Sequence, residues 1–113
     1  MKEIAIDFGT SRTKLAYVDP RSGRTELMRL GIYDQPFLPS LFYLTRDSEQ
    51  ILLGDEAEDM VAEDPAGVVG VLKRRLHDPY VRANYRKEPP VKLLTQLFHY
   101  LRERAGREIA SFL

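Results

Sequence analysis

Apolar and polar residues alternate from Glu3 to Phe8, break at Gly9-Thr10-Ser11, and form a second strand-like run from Thr13 to Val18. A period of two puts Ile4, Ile6 and Phe8 on one side of a strand, with Ala5 and Asp7 on the other. Leu15 and Tyr17 share one face of the second run. Two strands joined by so short a turn pair antiparallel. Asp19-Pro20-Arg21-Ser22-Gly23 is dense in turn residues, and Thr25 to Leu30 reads as a third strand. The three form an antiparallel meander. Pro36 and Pro39 bracket a loop. Leu41 to Thr45 and Gln50 to Leu53 then read as a further hairpin, turned by Arg46-Asp47-Ser48-Glu49.

The remainder, from Gly54 onward, reads as helical. Ala57, Met60 and Val61 recur at helical spacing after Asp55, and acidic residues fill the first turn, where the helix dipole favours them. Asp64-Pro65 ends that helix and starts another, with Asp64 as cap and Pro65 as first helical residue. Val68, Val69, Leu72 and Leu76 form its apolar stripe. His77-Asp78-Pro79 stops it, and Tyr80 to Pro89 reads as irregular. Pro90 opens a longer helix with Leu93, Leu94, Leu97, Phe98 and Leu101 as its buried face and Gly106 marking its end. The expectation is an α/β (α+β) fold: an antiparallel-rich twisted sheet with packed helices, strand-rich over 1–53 and helical over 54–113.

Composition narrows the function classes. The 113 residues carry 17 basic and 17 acidic side chains, so the chain lacks the basic excess of a general nucleic-acid binder. Without cysteine, disulfides, zinc–thiolate sites and cysteine catalysis are excluded. No apolar run approaches a membrane span, and the start has no signal-peptide pattern, which makes the cytoplasm the expected compartment. Charge is uneven: Asp47 to Asp64 is purely acidic, whereas Lys73 to Glu108 is mostly basic. Two mutually attracting faces, or a positive rim near an anionic ligand, would each produce this pattern.

The turn after the first strand carries the chemistry. Gly9 suits a backbone that must approach something closely or take positive φ. Thr10, Ser11 and Thr13 bring hydroxyls, and successive backbone N–H groups in such a turn can form a nest for phosphate. Asp7 repels phosphate directly, but a hydrated magnesium would bridge it to phosphate oxygens. A plain β-turn, capped by Asp7 on its own backbone, would use the same residues.

Ile4 to Ala16 resembles the first phosphate motif of the actin-like ATPase superfamily, a ribonuclease H-like group that includes actin, sugar kinases and the seventy-kilodalton heat-shock chaperones. Pro39-Ser40-Leu41-Phe42-Tyr43, Leu53-Gly54-Asp55-Glu56-Ala57 and Leu72-Lys73-Arg74-Arg75-Leu76 are similar to chaperone segments in the same order and spacing. The resemblance covers about residues 3–79. It implies that Asp7 holds magnesium through water, that Gly9, Thr10, Ser11, Arg12 and Thr13 face the phosphates of ATP or ADP, and that Lys73 is the catalytic lysine near the γ-phosphate. Positioning and charge neutralisation are what phosphoryl transfer requires.

Arg12 and Lys14 depart from the chaperone pattern, and Thr13-Lys14 is closer to a sugar kinase. The stretch between Lys73 and the last helix is also shorter than in the chaperones. The superfamily's second phosphate motif, adenosine motif and second lobe do not follow. With the apolar tail Ile109, Ala110, Phe112 and Leu113, this suggests an N-terminal piece of a larger chaperone-like ATPase, inactive alone, whose further domains would engage client proteins. A sugar or metabolite kinase, or a non-catalytic interaction module, are the alternatives. His77 and His99 lack metal-ligand spacing. The acidic residues at Asp55 are explained by the helix dipole. Tyr80, Arg82, Tyr85, Arg86 and Lys87 interleave aromatics with charge, which suits stacking on single-stranded nucleic acid or an exposed docking loop. Ser11 and Ser40 have no histidine–carboxylate partnership in view.

Overall fold

The alternation from Ile4 to Val18 becomes a ribbon of two strands, β1 (Ile4–Phe8) and β2 (Arg12–Val18). Ile4 lies opposite Tyr17, Ile6 opposite Leu15 and Phe8 opposite Thr13, so the apolar sets of both strands share one face. The computed structural model describes residues 4–111 and is a mixed α+β fold, with antiparallel sheets and two α-helices among those residues. Glu3, Phe112 and Leu113, and the side chains of Ile109 and Ala110, lie outside what it describes.

The third strand, β3 (Thr25–Leu27), pairs with the far end of β2 through Ala16–Leu27 and Val18–Thr25. It is shorter than the expected Thr25 to Leu30. The Met28 N–H still reaches the Leu15 carbonyl at 2.8 Å, but the chain then folds back on itself between Leu30 and Gln35. A short strand, β4 (Leu38–Pro39), pairs with the near end of β2. The expected hairpin forms as β5 (Phe42–Leu44) and β6 (Ile51–Leu53), with Phe42 opposite Leu53. Every residue of β5 is buried, as befits the centre of a sheet.

Helix α1 (Asp55–Glu63) buries Ala57 and leaves Val61 exposed. The helix expected after Pro65 is absent. Pro65–Gly67 is a single 3₁₀ turn, Val68–Val69 forms strand β7 against β5, and Leu72–Arg75 is a second 3₁₀ turn. Two adjacent valines favour an extended backbone, and the open side of β5 supplies the partner that a helix would have forgone. Of the expected stripe, Val69 and Leu72 are buried, whereas Leu76 is exposed.

Tyr80 to Pro89 is also not irregular. It contains a hairpin, β8 (Val81–Ala83) and β9 (Arg86–Glu88), closed by Asn84 and Tyr85. Both turn residues have positive φ, 51° and 61°, as a two-residue type I′ turn demands. The 54–113 half is therefore only partly helical.

Helix α2 (Pro90–Ser111) continues through Gly106 instead of ending there. Leu93, Leu97, Leu101 and Ala105 repeat every four residues and face the core. Leu94 is partly buried, and Phe98 is 41% exposed, with its ring edge-on to Phe8 at 6.5 Å. These helix residues pack with Leu15, Met28, Leu30, Leu38, Phe42 and Leu44 in one apolar cluster. The Tyr100 hydroxyl accepts the Gly31 N–H at 2.7 Å, and Arg104 donates to the Arg29 carbonyl at 2.9 Å, which fixes the helix to the loop after β3.

The acidic and basic stretches do not neutralise each other through ion pairs among the described residues. Asp64 pairs with Arg46, just upstream of the acidic run, at 2.9 Å. Arg86 instead donates to the carbonyls of Thr45, Glu49 and Gln50 while pairing with Glu88 at 2.7 Å.

Candidate functional site

The turn between β1 and β2 is held from both sides. The Gly9 N–H donates to the Arg12 carbonyl at 2.9 Å, closing the turn on itself. A Cβ at Gly9 would lie 2.7 Å from that carbonyl oxygen, so the close approach, not positive φ, excludes a side chain here. The Gly9 N–H is consequently spent inside the turn. From the other side, the Ser40 N–H donates to the Ser11 carbonyl at 2.9 Å, and the Ser40 and Thr13 hydroxyls share a buried hydrogen bond of 2.9 Å. Pro39-Ser40 is thus the clamp that sets the shape of the turn.

Thr13 is fully buried, and its hydroxyl is engaged by Ser40 rather than open to a ligand. Thr10, Ser11 and Arg12 are exposed at the tip. The Arg12 guanidinium lies over the Phe37 ring, 4.1 Å from its centroid, a cation–π contact that restrains the arginine beside the turn. Phe37 had no marker in the sequence, because nothing local relates it to Arg12. Asp7 is exposed on β1, and its cross-strand neighbour is Lys14. Opposite charges facing each other across a ladder stabilise the pair modestly.

Lys73 lies on the Leu72–Arg75 turn, exposed, beside buried Leu72. Among the described residues no hydrogen bond or ion pair links Lys73 to Asp7 or to Gly9–Arg12. Val71, two residues earlier, has φ 54° and ψ 36°, a left-handed backbone that a β-branched residue adopts only under constraint.

A second polar constellation sits where β5, β7 and the β8–β9 hairpin meet. Asp64 accepts from Arg46, from the Tyr43 hydroxyl and from the Asn84 amide at 2.9 Å. The same amide donates to the Leu44 carbonyl at 2.7 Å, and the Asn84 side-chain oxygen accepts from Arg46 at 3.2 Å. Arg46 first, then Tyr43 and Asn84, hold the Asp64 carboxyl down at about 2. The hydrogen bond to Asp64 in turn raises the Tyr43 hydroxyl above its ordinary value. With each acceptor matched to a donor, this network ties the hairpin to the sheet. Asp64 therefore serves tertiary structure and makes no side-chain cap for the turn it precedes.

The histidines stand apart and exposed: His77 beside half-buried Asp78 at 3.4 Å and His99 beside exposed Glu103 at 3.3 Å. Tyr85 projects fully into solvent, and Lys87 lies over the Tyr80 ring at 4.7 Å. No helix among the described residues is long and apolar enough to cross a membrane. No protein-family model matches the chain, and a search of curated proteins returned no match.

Proposed function

We propose that the chain forms the phosphate-binding first part of an actin-like, ribonuclease H-like nucleotide-binding lobe, within a chaperone-like protein that hydrolyses ATP. The observation that carries this reading is the clamped hairpin turn. It presents Thr10, Ser11 and Arg12 to solvent, with Asp7 exposed on the strand that leads in. In this reading Arg12, and the Thr10 and Ser11 hydroxyls, contact phosphate oxygens, and Asp7 holds a hydrated magnesium. Thr13 acts through Ser40, as a support for the turn. Lys73 takes the γ-phosphate role, and strain at Val71 is the local feature that would hold it there. Bound Mg-ATP or Mg-ADP would supply the charge that these groups stabilise. Client proteins would engage further domains, in the cytoplasm.

The test is a titration of isotopically labelled chain with Mg-ADP, read by amide chemical shifts. Binding is expected to be weak, with changes centred on Gly9 to Thr13, and weaker still without magnesium or in Asp7→Asn. Shifts that avoid this turn, or that ignore both magnesium and Asp7→Asn, would refute the assignment. Loss of ATP hydrolysis in Lys73→Ala, with binding kept, is the expectation for the complete protein.

A further inference from the structure

The β8–β9 hairpin carries an open pocket of about 540 Å³, lined by Arg82, Ala83, Tyr85, Arg86 and Lys87. The ladder sorts these side chains by face. Val81 and Ala83 are buried, and Glu88 and Arg86, which lie opposite them, pair with each other at 2.7 Å. Arg86 is further spent on the carbonyls of Thr45, Glu49 and Gln50. Arg82 and Lys87 lie directly opposite one another on the outer face, and both are exposed.

Two cations facing each other across a ladder weaken it. Nothing here offsets them: among the described residues neither Arg82 nor Lys87 pairs with a carboxylate, and the chain from Pro79 to Lys87 holds no acidic residue. The Lys87 ammonium rests over the Tyr80 ring, 4.7 Å from its centroid, so its place is set before any ligand arrives. Tyr85 is a second unfavourable choice. It has φ 61° at the turn position where glycine is preferred, and its side chain is fully exposed. The ring therefore covers no part of the fold, yet it lines the same pocket as the two unmatched cations.

We propose that this pocket binds a phosphate monoester carried on a planar aromatic ring, as a free small molecule. The planar fork of Arg82 can donate two parallel N–H bonds to the phosphate. Lys87 supplies the second positive charge that a phosphate dianion calls for. The ring of the ligand stacks on Tyr85. A carboxylate, with a single charge, would leave one of the two cations unmatched. An extended nucleic-acid strand fits less well. The chain has 17 basic against 17 acidic residues, so it lacks the basic excess such a partner draws on. Tyr85 is also the one aromatic residue that lines the pocket, enough for a single stacked ring.

The experiment titrates the labelled chain with phenyl phosphate, inorganic phosphate or benzyl alcohol at pH 7.5 and matched ionic strength, and follows amide shifts. Saturable changes are expected at Arg82, Tyr85 and Lys87. Phenyl phosphate should bind at least tenfold more tightly than either inorganic phosphate or benzyl alcohol. Tyr85→Gly removes the ring and gives the turn its preferred residue, so the fold is kept; it should bring phenyl phosphate down to the level of inorganic phosphate. Arg82→Gln should abolish the advantage of phenyl phosphate over benzyl alcohol. Equal affinity for phenyl phosphate and inorganic phosphate, or an advantage that survives either substitution, would overturn the proposal. So would tenfold tighter binding of an oligothymidylate without terminal phosphates, or of a phosphotyrosine peptide, since a polymer would then be the occupant. Shifts confined to Gly9 to Thr13 would also overturn it while leaving the nucleotide reading of the β1–β2 turn intact.

Discussion

Replacing Asn84 by glycine removes its side chain while keeping the positive φ that the β8–β9 turn needs. Four contacts are involved: the amide to the Leu44 carbonyl at 2.7 Å, to Asp64 at 2.9 Å and, more weakly, to the Tyr43 hydroxyl at 3.3 Å, and the oxygen accepting from Arg46 at 3.2 Å. Asn84 is 6% exposed and Leu44 is fully buried, so water cannot readily replace the lost donor. A neutral buried bond contributes about 1 kcal/mol and a bond to a charged group about 1.5–3 kcal/mol. Asp64 keeps Arg46 and Tyr43, which softens the second loss. The expected destabilisation is about 3 kcal/mol on those values. For a domain near this size that corresponds to a melting temperature lower by roughly 12 °C. Urea unfolding followed by far-ultraviolet circular dichroism measures it, with an unchanged denaturant slope showing that only stability moved. Asn84→Ala should be worse by about another 1 kcal/mol, since alanine disfavours the left-handed region. Asn84→Asp, with shape and turn preference retained, sets a second carboxylate beside Asp64. It should be destabilised at neutral pH and recover on mild acidification. A loss below about 1 kcal/mol for Asn84→Gly would refute the claim that these bonds hold the hairpin to the sheet.

Acid should weaken the same network in the unaltered chain. The Asp64 carboxyl is depressed from 3.8 to about 2, so its contribution is complete above pH 3.8 and is lost as pH falls toward 2. Tyr43→Phe should lessen that dependence, as read from unfolding midpoints across acid pH. Gly106→Ala should stabilise by about 1 kcal/mol, because glycine is a poor helix former and a Cβ there meets nothing within 4 Å; an unchanged midpoint would argue that α2 stops short of this residue. Val71→Asn should raise stability by about 1 kcal/mol through relief of the left-handed backbone, and a loss instead would mean that the valine side chain is anchored. Leu93→Ala, at a site with no exposure at all, should cost about 2–5 kcal/mol in the same unfolding assay.

Much of the fold follows from the sequence by local rules. Period-two alternation around a short polar turn specifies the β1–β2 ribbon, and short apolar runs bounded by polar turns mark the β5–β6 hairpin. The acidic first turn of α1 and Pro90 at the start of α2 mark helix starts through the dipole and the fixed proline φ. The order Asp7-Phe8-Gly9-Thr10-Ser11 likewise marks the turn on which the proposed site rests. Tertiary structure decided the rest. Val68-Val69 fits a helical stripe and a strand equally well over so short a run, and the vacant edge of β5 chose the strand. Asn84 is a preferred first residue of a type I′ turn, but Tyr85 stands where glycine usually follows, so the hairpin was hidden. Gly106 reads as a stop, yet α2 continues through it, with the Arg104–Glu108 pair spanning the glycine at 3.1 Å. The contacts that shape the candidate site join residues distant in the chain: Ser40 on Thr13 and Phe37 under Arg12. No periodicity encodes such contacts, because they exist only once the sheets and helices have closed on one another.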